Sequence, residues 1–125
     1  MINFTIMNIL ITSAGRRVSL IKAFKESSLK LKTKSKIFIT DINTERSPAA
    51  YYADESFNIG YFNDPNYIND LLKICLKNKV SIIVPTIDTE LIQLANSKSV
   101  FNDNGINIII SELKLIKTLR DKIAT

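Results

Sequence analysis

Residues 7–24, MNILITSAGRRVSLIKAF, constrain the fold more than any other stretch of the 125-residue chain. The apolar run Ile9-Leu10-Ile11 reads as a buried strand, and Val18, Ile21 and Phe24 recur at helical spacing on one face. Thr12-Ser13-Ala14-Gly15 lies between them, so a strand at about residues 7–12 passes through a tight turn into a helix at about residues 16–31. The first N–H groups of such a helix lack partners within it, and its dipole favours an anion there. In open α/β sheets this is the place of the binding crevice, outside the carboxyl ends of the strands. Gly15 serves equally well as a supplier of a permissive backbone angle, and Arg16 and Arg17 as solvated cations or partners of neighbouring acids.

The rest of the chain repeats the alternation. Lys36-Ile37-Phe38-Ile39-Thr40-Asp41 reads as a second strand ending on an acid. Residues 42–54 carry Asn43, Ser47 and Pro48 and read as a loop, with a helical turn at Ala49-Ala50-Tyr51-Tyr52 and a third strand at residues 55–59. Asp64-Pro65 predicts a helix start, an N-cap acceptor followed by proline at the first helical position. The helix it opens carries the stripe Ile68, Leu71, Leu72, Cys75 and Leu76, which places the cysteine in the core. Residues 80–84 form a β-branched strand stopped by Pro85, and Leu91, Leu94 and Ala95 begin the next helix. A turn at Asn102-Asp103-Asn104-Gly105 leads to a fifth strand at residues 106–110, and Ser111 reads as the cap of a last helix. Strands alternating with helices predict a doubly wound, mainly parallel five-stranded sheet of the α/β class, and right-handed crossovers give strand order 3-2-1-4-5.

Composition narrows the function. One cysteine and no histidine exclude an internal disulfide, a histidine-dependent triad and a histidine- or cysteine-based metal site within the chain. No apolar run approaches the ~20 residues of a membrane span, and the N-terminus lacks a signal peptide's basic segment, so a cytoplasmic location is the default. The net charge of +5 is concentrated at Lys22, Lys25, Lys30, Lys32, Lys34 and Lys36. Without interleaved aromatics this stripe reads as a solvated face, and neither nucleic acid nor membrane is an expected partner.

Three polar turns converge at the carboxyl ends of the predicted strands. The first brings Ser13, Gly15, Arg16 and Arg17, the second Asp41, and the fourth Thr86, Asp88, Thr89 and Glu90. Anion donors flanked by carboxylates suit a small zwitterionic or hydroxylated ligand, with no catalytic residue and no metal ligand assigned. Alternatives stay open at each position: Asp88 or Thr89 as an N-cap, Glu90 as a first-turn acid favoured by the helix dipole, Asp41 in an Asx turn. G-x-G-x-x-G, G-x-x-x-x-G-K-[ST] and G-x-S-x-G are all absent. Asp41 is nevertheless placed like the ribose-binding acid of dinucleotide folds, which keeps a nicotinamide-binding fragment as an alternative.

MNILITSAGRRVSLIKAF, ITDIN, DPNYINDLLKIC, IIVPTIDTELIQLA and LRDKIAT, in this order, resemble the N-terminal domain of ATP-grasp proteins. SAGRR and PTIDTEL are the most specific pieces, and the nearest group resembles the large subunit of carbamoyl-phosphate synthase. The resemblance implies a Rossmann-like, biotin-carboxylase-type pre-ATP-grasp domain over residues 1–119, with residues 120–125 as the start of a linker into an absent ATP-grasp domain. It implies that the full-length protein uses ATP and Mg2+ to activate a carboxylate as an acyl phosphate, which an amine or ammonia attacks. Lys122, with Arg120 second, matches the family's basic residue that contacts ATP. The ending, without a helix stop signal, reads as that of a domain piece or a truncated gene product. The chain alone is then expected to bind no cofactor tightly and to be inactive. Expected partners are a small carboxylate or amine substrate and the ATP-grasp domain, with homodimerisation left open. The competing reading is a stand-alone binding or interaction module that uses the same crevice without catalysis.

Overall fold

A computed structural model describes residues 8–13, 18–30, 35–61 and 63–109, the side chains of residues 28–30 and 88–89 excepted. In chain order the elements are β1 (Asn8–Thr12), α1 (Val18–Lys30), β2 (Ile37–Asp41), two 3-10 turns (Thr44–Arg46 and Pro48–Tyr51) and β3 (Glu55–Asn58). α2 (Tyr67–Lys77), β4 (Val80–Pro85), α3 (Asp88–Asn96), α4 (Lys98–Asp103) and β5 (Asn107–Ile108) complete them. All pairs are parallel and the order is β3-β2-β1-β4-β5, as the alternation predicts.

β1 lies in the middle, every residue of it buried, because both faces of the sheet are covered. Its side chains alternate between the faces. Ile9 and Ile11, with Ile37, Ile39, Ile82 and Val84, pack against Ile21 and Phe24 of α1 and Ala49 of the second 3-10 turn. Leu10, Phe38 and Ile83 point the other way, onto Tyr67, Leu71 and Cys75 of α2, Leu94 of α3 and Phe101 of α4. The division follows from handedness. Right-handed crossovers running outward from β1 to β3 put their connections on one face, and those returning through β4 to β5 use the other.

Several boundaries differ from the sequence reading, each for a local reason. Asp64-Pro65 makes a turn of its own, closed by Tyr67 N–H donating to the Asp64 carbonyl at 3.0 Å. The Asp64 carboxylate accepts from Asn66 N–H at 2.8 Å, so α2 starts at Tyr67 with no side-chain cap. Its stripe is rotated accordingly: Tyr67, Leu71 and Cys75 are buried, Ile68 and Leu72 half-buried, and Leu76 exposed. Pro85 ends β4 from inside the strand, and α3 begins at Asp88 after Ile87, with no side-chain cap, so neither Asp88 nor Thr89 is its N-cap. The apolar run 106–110 contributes two strand residues to β5, although Ile106, Ile108 and Ile109 are all buried. Ser111 lies outside the described residues. On the basic face, Lys22 stacks on the Tyr52 ring with its Nζ 4.6 Å from the centroid, and Lys25 pairs with Asp54 at 3.2 Å.

Candidate functional site

In a parallel sheet the first helix of each crossover begins where a strand ends, so one edge gathers the strand exits and those helix starts. Here Thr12 aligns with Thr40 on one side and Pro85 on the other, while Asp41 aligns with Asn58. Ser13, Asp41 and Thr86 therefore meet at the carboxyl edge, with the first turns of α2 and α3 beside them.

The centre of this edge is a hydrogen-bonded joint. Glu90, the third residue of α3, is 1% exposed. Its Oε1 accepts from the Thr12 hydroxyl, and its Oε2 accepts from Ser13 Oγ at 2.6 Å and from the Tyr67 hydroxyl at 2.8 Å. An ionised carboxylate accepts only, so three hydroxyl donors match its chemistry. Burial, followed by the Glu90 carboxylate beside it, pushes the Tyr67 phenol far above its usual range, which keeps that donor protonated. Thr86 Oγ1 lies 2.8 Å from the Thr12 carbonyl and 2.9 Å from the Ser13 carbonyl. The exit of β1 is thus tied by its side chains to Glu90 and by its carbonyls to Thr86. Ser13 sits there with φ 51, in the left-handed region that non-glycine residues seldom adopt.

Toward β2 the edge is built from loop geometry. Asp41 Oδ1 accepts from Ile42 N–H at 2.8 Å, and the Asp41 carbonyl accepts from Ile59 N–H at 3.0 Å. Asn43 Oδ1 accepts from Glu45 N–H at 3.1 Å and Asn58 Oδ1 from Thr44 N–H at 2.8 Å. The Thr40 hydroxyl is buried next to Thr12 in register and has no hydrogen-bond partner among the described residues.

Of the residues singled out in the sequence, Ser13, Thr86 and Glu90 form one connected unit, and Asp41 stands at the same edge one strand away. Asp88 heads α3 there, its side chain outside the described set. Gly15, Arg16, Arg17, Arg120 and Lys122 lie outside the described residues. Thr12 and Tyr67 belong to the joint without having been singled out. Topology was the signal for Tyr67: the first residue of a helix entering the sheet from this edge must stand at the edge. Cys75, in contrast, is fully buried within α2, and burial pushes its thiol up to about 12. No group of His, Cys, Asp and Glu among the described residues is arranged to hold a metal ion.

What the edge can do follows from these partners. Half-buried Ser13 offers hydroxyl lone pairs outward while its proton is committed to Glu90, and Asp41 adds a half-buried carboxylate. On the described part of the edge, Ser13 Oγ and the Asp41 carboxylate are thus acceptors, beside the N–H groups that begin α3 without a side-chain cap. No curated protein matches the chain. Residues 9–109 match the family model of the PylC-like N-terminal domain, a pre-ATP-grasp type of domain, and the chain belongs to that family.

Proposed function

We propose that this chain is the substrate-side N-terminal domain of an ATP-grasp ligase that joins a carboxylate to an amine or ammonia. The observation that carries the reading is the family match over residues 9–109, on a sheet whose order is β3-β2-β1-β4-β5. In such a reaction ATP, with Mg2+, supplies the phosphoryl group that activates the carboxylate. Phosphoryl transfer depends on positioned cations and metal around the phosphates. In our reading this domain holds a substrate, and the ATP-grasp domain holds the nucleotide. Arg120 and Lys122 are the residues we assign to the nucleotide, at the junction between the two. Ser13, Asp41, Thr86 and Asp88 are assigned to the substrate, together with Gly15, Arg16 and Arg17. The large subunit of carbamoyl-phosphate synthase is the chemical parallel we propose, and a soluble cytoplasmic setting goes with it.

The test is ADP formation by the full gene product supplied with Mg2+, ATP and single amino acids or pairs of them. ADP release that depends on an amino acid supports the ligase. Residues 1–125 alone are expected to be inactive under the same conditions. Turnover by residues 1–125 that survives Lys122→Ala but is lost with Arg16→Ala would make this domain an enzyme by itself.

A further inference from the structure

We propose that Glu90 is a positioning residue that fixes Ser13 as a hydrogen-bond acceptor for an amine, taken up as ammonium, at the carboxyl edge. The proposal deepens the reading of that edge as a substrate crevice and rests on it.

At 1% exposure Glu90 is walled off from solvent and acts only through the groups it holds. Two of these, Thr12 and Ser13, are consecutive and carry the chain out of the central strand. Both of their carbonyls lie within 2.9 Å of Thr86 Oγ1, from the β4–α3 connection that leads into the first turn carrying Glu90. Ser13 is therefore gripped by side chain and by main chain while its backbone is left-handed. A residue stays in so sparsely populated a conformation only when its surroundings over-determine it. The grip also sets the polarity of the hydroxyl. A serine hydroxyl has one proton, and here the Ser13 proton points to Glu90 Oε2 at 2.6 Å. Only its lone pairs are left for a ligand, and these select a donor such as an ammonium over a carboxylate or phosphate. Tyr67 completes the second lone-pair direction of Oε2 at 2.8 Å and leaves Ser13 untouched, which makes it the internal control.

The experiment is NMR on the isotope-labelled protein. The three-bond HN–Hα coupling and amide exchange at position 13 are compared in the parent, Glu90→Gln, Ser13→Ala and Tyr67→Phe. Glu90→Gln and Ser13→Ala are expected to move the coupling out of the left-handed range and to speed exchange at position 13 by about tenfold, the scale on which supporting groups tune a site. Tyr67→Phe is expected to leave the coupling near the parent value, and to speed exchange at position 13 by no more than its lower global stability does elsewhere in the sheet. A position 13 that stays left-handed without its Glu90 contact overturns the proposal, and so does an equal response to Tyr67→Phe, which would mean general loosening. Should Glu90→Gln fail to fold, Ser13→Ala breaks the same contact from the half-exposed side and decides alone. In a second arm the common amino acids and their deaminated carboxylates are titrated while the Ser13 and Thr86 amides are followed. A response to the amines that Glu90→Gln weakens about tenfold supports the acceptor role. A response to the deaminated acids instead overturns that role. No response to either class, with the conformational arm intact, removes the substrate reading and with it the acceptor role, leaving only the positioning of Ser13.

Discussion

At Ser13 two magnitudes decide the outcome. A left-handed conformation costs an L-residue roughly 1–2 kcal/mol, whereas a hydrogen bond to a charged group contributes about 1.5–3 kcal/mol. The bond to Glu90 is therefore large enough to offset the strain, and it reaches the exit of β1 from a residue 77 positions further along the chain. The same comparison predicts the cost of removing the phenol. Tyr67→Phe keeps the ring in the core but deletes a buried bond to a carboxylate, and should lower stability by about 1.5–3 kcal/mol in urea unfolding. Thr40 should behave in the opposite way. Its hydroxyl is buried without a partner among the described residues. Thr40→Val keeps the branched shape and removes the orphan group, so stability should hold or rise by up to about 1 kcal/mol. A clear loss would instead reveal a partner for that hydroxyl in solution, such as an ordered water.

Among the elements, α2 shows how far periodicity reaches. The apolar stripe predicts a helix with Cys75 inside, and Cys75 is fully buried. The stripe does not say which turn begins it, because the Asp64-Pro65 turn is closed by backbone bonds that any sequence could make. Leu71→Ala should cost about 2–5 kcal/mol, since Leu71 is fully buried, while Leu76→Ala on the exposed side should stay within about 0.5 kcal/mol. Thermal unfolding of the pair checks the register directly. After α2 the chain turns at Lys79, which is exposed and left-handed at φ 55. Lys79→Gly should relieve that strain and raise stability by about 0.5–1 kcal/mol. The sheet order was legible because handedness and alternation leave few topologies. The placement of Ser13, Asp41 and Thr86 at one edge followed from it. The inward turn of Glu90 was not legible, since its partners Thr12, Ser13 and Tyr67 lie 78, 77 and 23 positions away. Spacing alone does not tell a first-turn acid facing solvent from one facing three hydroxyls.

Across the whole molecule, two ionisable side chains from α2 are sealed into the face that α2, α3 and α4 share, and this gives the fold a pH dependence on the alkaline side. Burial holds the Cys75 thiol at about 12, against an ordinary value of 9.0. The Tyr67 phenol is likewise raised above its ordinary 10.0, by burial and then by Glu90. Below the ordinary values both groups are protonated folded and unfolded, so their contribution is fully present and adds no slope. Above them the unfolded chain gives up protons that the folded chain keeps, so the unfolded state binds fewer protons and stability falls as pH rises. The thiol acts from near pH 9 to near pH 12 and the phenol from pH 10 upward. Each contributes at most about 1.4 kcal/mol per pH unit. Urea unfolding of the parent, Cys75→Ala, Tyr67→Phe and the double variant between about pH 8 and pH 11 separates the contributions. Each single variant begins less stable than the parent at about pH 8, and that gap should narrow as pH rises. What changes is the slope, which should flatten above pH 9 for Cys75→Ala and above pH 10 for Tyr67→Phe. A parent whose stability does not fall over this range, or a double variant that falls as steeply, would show that the thiol and phenol are not sealed within that face.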